Sequence, residues 1–259
     1  GRVERMAGSQ QPSGVFVDAA EELMTRAIPA PRPNERDLAF AEAQKVLNSY
    51  GITAVADMGT TIEDWQAYRR AGDKGALTVR IMSYAAGPEQ MELIAGARPS
   101  PWLYDDKLRM NGIKIYLDGA LGSRGAWLKQ PYADDPGNTG LPLTGPAKLR
   151  NVLVRAAQGN FQPAIHAIGT AANEDALDAI IEIAESFPGD RRWRIEHAQI
   201  VDPVDLPKFG QDGIIASMQP VHQTSDRVMA EARLGPDRLA GAYAWNSILK
   251  AGGRLAFGS

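Results

Sequence analysis

The chain has 259 residues, 44% hydrophobic and 23% charged, with a formal net charge of -3. That is ordinary globular composition, long enough for one large α/β domain or two small ones with a sizeable core. Lys and Arg are scattered rather than clustered, which leaves no electrostatic footprint for nucleic acid, and no apolar run reaches membrane-spanning length. Cysteine is absent, which excludes disulfides, thiolate zinc sites, iron–sulfur clusters and cysteine nucleophiles. Any metal must be held by histidine, carboxylate or a less usual group. Only three histidines are present, so their positions carry information.

Residues 1–14 are polar and glycine-containing and read as a loop, and 16–28 as a short helix ended by Pro29. Asn34 is the expected N-cap of a helix over 34–50 that ends at Gly51. Strands are then expected at 52–57 and 77–82, separated by a helix over 61–71, with a short helix opening at Pro88. The next strand, 113–118, alternates Ile113, Ile115 and Leu117 on one face with Lys114, Tyr116 and Asp118 on the other. A long loop rich in Gly, Pro, Asp and Asn occupies about 120–144, the kind of connection that forms lids or binding loops. Further on, strands are read at 163–166, 193–197, 213–218 and 254–257, with helices at 145–158, from a cap at Thr170, at 203–209, near 225–233 and at 236–250.

Strand and helix alternate with no hairpin signature between them, which implies parallel strands. The simplest account is a (β/α)8 TIM-like barrel lacking strand 1, the end of strand 8 and the last helix. It forms a single domain over 1–259 with 1–33 as a lead-in segment. An open doubly wound sheet is the rival, but no strand is followed by a Gly-x-Gly-x-x-Gly turn. In a barrel, chemistry gathers at the C-terminal rim, and all three histidines fall there. His166 ends one strand, His197 ends the next, and His222 follows the one after. Lys114 lies in the strand before that of His166. Taken alone, Lys114 also suits an ion pair with Asp118 or another inward acid.

The run Lys114-Ile115-Tyr116-Leu117-Asp118-Gly119-Ala120-Leu121-Gly122-Ser123-Arg124 closely resembles the amidohydrolase superfamily, in particular its family-3 group of YtcJ-like metal-dependent hydrolases. So do Pro131-Tyr132, Ile165-His166-Ala167-Ile168-Gly169, Ile195-Glu196-His197-Ala198-Gln199, Ser217-Met218-Gln219-Pro220-Val221-His222 and Ala256-Phe257-Gly258-Ser259. The resemblance implies a distorted barrel with one or two divalent metal ions, usually Zn2+. In that family a strand-four lysine is carboxylated and bridges metals, and Lys114 stands in its place. His166 and His197 match the histidine ligands of strands five and six. His222 is implied as a catalytic group acting on a carbonyl, and Asp118, Arg124 and Gln219 as substrate-pocket residues, with a structural pair between Asp118 and Arg124 as the alternative.

The chain departs from the family pattern in three places. The strand-one His-x-His pair is absent, the strand-eight Asp that normally follows Gly-Ser is missing by one residue, and Thr170 stands where an Asp is usual. Read literally, the sequence holds about half of a metal centre, incomplete at both ends, inactive alone and with Lys114 as a plain amine.

The expected activity of the intact protein is hydrolysis of an amide-type C–N bond through a metal-activated water. Two other readings remain. One is a metal-free barrel enzyme such as a glycoside hydrolase using Asp118 and Glu196, although alternation turns Glu196 away if His197 faces inward. The other is a non-catalytic barrel fragment. The expected partners are a small-molecule substrate and a second copy in a homodimer, with no nucleic acid and no membrane. The default location is the cytoplasm, with a lost signal peptide left open.

Overall fold

The computed structural model describes residues 1–258. The Ser259 end of the Ala256–Ser259 motif therefore lies outside the described residues. The chain opens with an antiparallel hairpin, β1 (Arg2–Arg5) and β2 (Pro12–Val17), where a loop was expected. Alternating Val3 and Phe16, paired across the hairpin, supply its ladder, and Gly8 takes the positive φ of +70° that its turn requires. A 3-10 turn (Asp18–Glu21) and a one-turn helix α1 (Glu22–Thr25) follow.

From α2 (Pro33–Ser49) the alternation is strict. Arg32, not Asn34, caps α2; Pro33 takes the first helical position, and the Glu35 carboxylate accepts from the Arg32 backbone N–H at 2.7 Å. β3 (Ala54–Thr60), α3 (Ile62–Asp73), β4 (Arg80–Ala86), α4 (Pro88–Ala95) and β5 (Leu108–Tyr116) lead to the long loop. After it come α5 (Pro146–Gly159), β6 (Gln162–Ala167), α6 (Thr170–Ser186), β7 (Arg194–His197), a 3-10 turn (Leu206–Gly210), β8 (Ile215–Met218) and α7 (Pro220–Leu234). A 3-10 turn (Pro236–Arg238), α8 (Trp245–Lys250) and β9 (Arg254–Phe257) complete the described chain. The stretch read as one helix over 236–250 is thus two short pieces, separated by an irregular segment in which Tyr243 has φ +52°.

β3 to β9 form one parallel sheet in chain order, curled into part of a TIM-like barrel. On its helix-facing side Ile113, Ile115, Ile165, Ile195 and Ala216 pack with Leu149 and Leu153 of α5 and Leu177, Ile180 and Ile183 of α6. This is the main core, and its burial is the dominant favourable term in the fold. No helix among the described residues is long and apolar enough to cross a membrane.

The long loop is not a detached lid. Leu121, Ala126, Leu128 and Tyr132 form a second core with Ile168, Ile200, Ala230 and Leu234, so the loop is packed against α7. Gly140 and Gly169 make this possible, because a Cβ at either would collide with the backbone of Ala126 or Trp127. The buried Tyr132 hydroxyl donates to the Ala126 carbonyl at 2.8 Å. Tyr132→Phe leaves that buried carbonyl short of a partner and is expected to cost about 1–3 kcal/mol in a denaturant titration. Amide exchange should then quicken within 119–144 while β6 and β7 keep their protection; equal loss everywhere would show that the loop and sheet open as one unit.

Candidate active site

Parallel register brings the sequence-selected groups together. Tyr116 is level with His166, and His166 with Glu196. Level residues share a face, so Lys114, Tyr116, His166, Arg194 and Glu196 line the side of the sheet opposite the main core. The Lys114 amine sits 4.9 Å from the Tyr116 ring centre, and the Tyr116 and His166 rings are 5.3 Å apart. The His166 and His197 rings are 4.7 Å apart, and His222, in the first turn of α7, stacks 6.1 Å from His197. Tyr116, half exposed between the amine and the first imidazole, was not singled out from sequence.

Strict alternation would have put His197 and Glu196 on opposite faces. His197 instead has φ +75° and Ala198 φ +41°, so the strand ends in a left-handed turn and the His197 ring swings to the side of His166. The inference that Glu196 turns away is thereby corrected. Glu196 faces inward, 4% exposed, and its carboxylate accepts from Arg194 Nε at 2.7 Å and Nη2 at 3.2 Å. Arg194 also donates to Ser217 Oγ at 2.9 Å. A carboxylate held this way is poorly placed to act as a free acid or base.

Burial sets the electrostatics. It lowers the Lys114 amine to about 8, with the Glu196 carboxylate opposing and the Arg194 guanidinium assisting. The expected ion pair of Lys114 is not formed: its amine has no such partner among the described residues. Burial likewise lowers His166 to about 3, with the nearby His197 and Lys114 adding to the effect and the Gly119 backbone opposing it. His197 is also lowered, by burial first, against a raising contribution from Gln219. Both imidazoles are therefore neutral near pH 7.

Neutral imidazole is the form that binds metal. His197 Nδ1 lies 2.8 Å from Gln219 Oε1, an acceptor that fixes the proton on Nδ1 and leaves the other ring nitrogen with its lone pair. His166 Nε2 is buried without a hydrogen-bond partner; Asp118 Oδ1 is 3.4 Å away, but not in hydrogen-bonding geometry. These two imidazoles fit two positions of a metal's coordination. Among the described residues no group of three or more His, Asp or Glu side chains could hold a metal ion.

Asp118, 1% exposed, accepts backbone N–H groups from Trp127 at 2.9 Å, Ile168 at 3.0 Å and Gly169 at 2.7 Å. Arg124 does not pair with it. Arg124 makes a two-pronged bond to Asp134, and Arg233 of α7 bonds the same carboxylate and the Gly122 carbonyl. Thr170 begins α6 but does not cap it; its hydroxyl accepts from the Lys129 N–H at 2.9 Å. Asn173, fully buried, bridges the carbonyls of Ala167, Ile168, Gly169 and Ile200, tying the end of β6 to the segment after β7. Only a Ser/Thr/Asn-type residue inside an apolar helix stripe could have signalled that role. Asp118→Asn turns an NH2 group toward a cluster of N–H donors and is expected to cost about 2–4 kcal/mol of stability. Thermal denaturation of the two proteins measures this, and an unchanged midpoint would refute the anchoring role.

The profile of the amidohydrolase family matches residues 1–259. Protein LONG AFTER FAR-RED 3 of Arabidopsis thaliana is 35% identical over 276 residues, covering 100% of this chain and 46% of that protein. The putative amidohydrolase YtcJ of Bacillus subtilis is 30% identical, covering 96% of this chain and 47% of that protein. The crystal structure of an uncharacterized metal-dependent hydrolase from Pyrococcus horikoshii superposes with a TM-score of 0.82 at 25% identity, over 99% of this chain and 52% of that one. The chain spans about half the length of the curated relatives it matches. With the family profile matching throughout and a YtcJ relative 30% identical over nearly all of it, this chain belongs to the amidohydrolase family.

Proposed function

We propose that the intact protein cleaves an amide-type C–N bond of a small molecule with the help of a divalent metal, Zn2+ being the expected ion. The observation that carries this reading is the pair of neutral imidazoles, His166 and His197, with ring centres 4.7 Å apart at the rim of the sheet. His166 and His197 would hold the metal, and Lys114 as a carbamate would be the further ligand. Burial favours the neutral amine of Lys114, the form whose lone pair adds to CO2 with loss of a proton. When bound, such a metal supplies a Lewis acid and acidifies water.

The chain's own groups have distinct tasks in this reading. Gln219 Oε1 accepts a hydrogen bond from His197 Nδ1–H and so keeps the opposite nitrogen pointed at the site. His222 would donate a hydrogen bond to the substrate carbonyl oxygen as charge develops on it. We assign Asp118 and Arg124 to the frame of the pocket, through the loop each one anchors, rather than to direct contact with substrate. The metal-free glycosidase reading lacks a free acid, since Glu196 is bound to Arg194.

Elemental analysis of the intact protein should find stoichiometric divalent metal that is lost in His166→Ala and in His197→Ala, together with amide hydrolysis. Full hydrolytic activity in a metal-free protein would sink the proposal. Gln219→Leu should weaken metal binding by about 10–100-fold in a chelator competition. His222→Ala should keep its metal while kcat falls by about 100–1000-fold; a loss of metal in that variant would make His222 a ligand instead.

A further inference from the structure

His222 stands on the first turn of α7, a turn with few anchors. Val221, Gln223, Thr224 and Ser225 around it are exposed, and the apolar packing of α7 begins only at Met229 and Ala230. A helix end with little buried surface frays unless side chains tie it down. Two ties are present, and they flank His222. Before it, Gln219 Oε1 accepts from His197 Nδ1–H at 2.8 Å. One turn after it, Asp226 Oδ2 accepts from Gln199 Nε2 at 3.3 Å. Among the described residues this is the one side-chain hydrogen bond that joins residues 220–232 to another element. Positions 219, 222 and 226 follow helical spacing and share one side of α7. Their partners, His197 and Gln199, stand two residues apart across the left-handed turn that ends β7.

Gln199 is itself firmly held. It is buried, its carbonyl accepts from the Tyr243 N–H at 2.9 Å, and the N–H of the next residue, Ile200, donates to the Ile168 carbonyl at 2.9 Å. The Asp226 carboxylate can only accept, so the amide nitrogen of Gln199 faces it. That nitrogen's second N–H reaches the Tyr243 hydroxyl at 3.3 Å. The other Asp226 oxygen accepts from the adjacent Ser225 hydroxyl at 2.7 Å, so the carboxylate is engaged within the protein. We propose that Gln199 and Asp226 are positioning residues. With Gln219 they clamp the start of α7 to the turn of β7 at two points and hold the His222 ring over that of His197, 6.1 Å away. A single tie at Gln219 would leave the helix start free to pivot; the second, two turns on and on the same side, removes that freedom. Both residues act through His222 and touch no reacting atom. The clamp rests on the amide-hydrolase reading only for the task of His222; where that ring is held is independent of it.

The test uses the intact protein, with amide hydrogen exchange read peptide by peptide and hydrolysis of 4-nitroacetanilide followed alongside. Gln199→Leu removes the amide and should quicken exchange over 221–226 by about fivefold, the worth of one hydrogen bond, while β6 and residues 227–234 keep their protection. In the same variant kcat should fall by about 10–100-fold with KM and metal content unchanged, as for a catalytic group moved out of place. Gln199→Glu sets carboxylate against carboxylate and should do at least as much. Combining Gln199→Glu with Asp226→Asn reverses the direction of the bond and should restore both exchange and kcat. Asp226→Leu, at a half-buried helix position, breaks the same bond from the other side and serves where a Gln199 variant does not fold. Unchanged exchange over 221–226, a loss spread evenly over the rim, or local loosening with kcat unchanged would each overturn the clamp. A parent protein that hydrolyses no anilide would count against the amide-hydrolase reading alone, and exchange together with its rescue in the double variant would still decide the clamp.

Discussion

One buried carboxylate holds the rim of this sheet together. Asp118 stands just past the end of β5 and gathers N–H groups from Trp127 in the long loop and from Ile168 and Gly169 after β6. An ionised acceptor in a low-dielectric site makes such bonds strong and their loss expensive. Everything at the C-terminal rim depends on that anchor in sequence. Trp127 carries the loop, and the loop builds the second core with Ala230 and Leu234 of α7. The first turn of α7 in turn carries His222 to within 6.1 Å of His197. Arg233 closes the circuit from the far end of α7 by gripping Asp134 and the Gly122 carbonyl.

The two faces of the sheet divide the labour. The helix-facing side is apolar and carries the stability, through Ile113, Ile165, Ile195 and the residues of α5 and α6 that cover them. The opposite side is polar almost from bottom to top. The Tyr84 hydroxyl donates to Gln162 Oε1 at 2.6 Å, Arg194 binds Glu196 and Ser217, and Lys114, Tyr116 and the imidazoles stand toward the rim. A buried ion pair such as Arg194–Glu196 contributes little net stability compared with apolar packing. Its value lies in setting a fixed field beneath Lys114, whose amine is moved in opposite directions by the two partners.

Much of this was legible in the chain because it follows from local period. Alternation at two and at 3.6 residues located the seven parallel strands and most helices to within a few positions, and the rim positions of Lys114, His166 and His197 followed from strand ends. The parts that were not legible depend on distant partners or on torsion. Asp118 meets Gly169 across 51 residues, and Arg233 meets Asp134 across 99, so neither use could be read from neighbours. The opening hairpin was missed because its strands are short and polar, with a weak alternation. Asn34 was chosen as a cap on residue type, but Pro33 starts the helix one position earlier and moves the cap to Arg32.

The left-handed turn at His197 and Ala198 shows why the site resisted alternation rules. Non-glycine residues at positive φ cost energy and persist only where the surroundings over-determine them. Here the surroundings do so from two sides. The Ile200 N–H donates to the Ile168 carbonyl, Asn173 bridges the same segment, and Gln219 holds the His197 ring from the end of β8. An undistorted β7 would direct Glu196 and His197 to opposite faces and leave His166 as the lone imidazole on the polar side. The backbone departure is therefore what converts two strand-end histidines into a pair. Three consecutive strands cooperate to hold it, so the pair is a property of the sheet, and the strain at β7 is offset by contacts from β6 and β8.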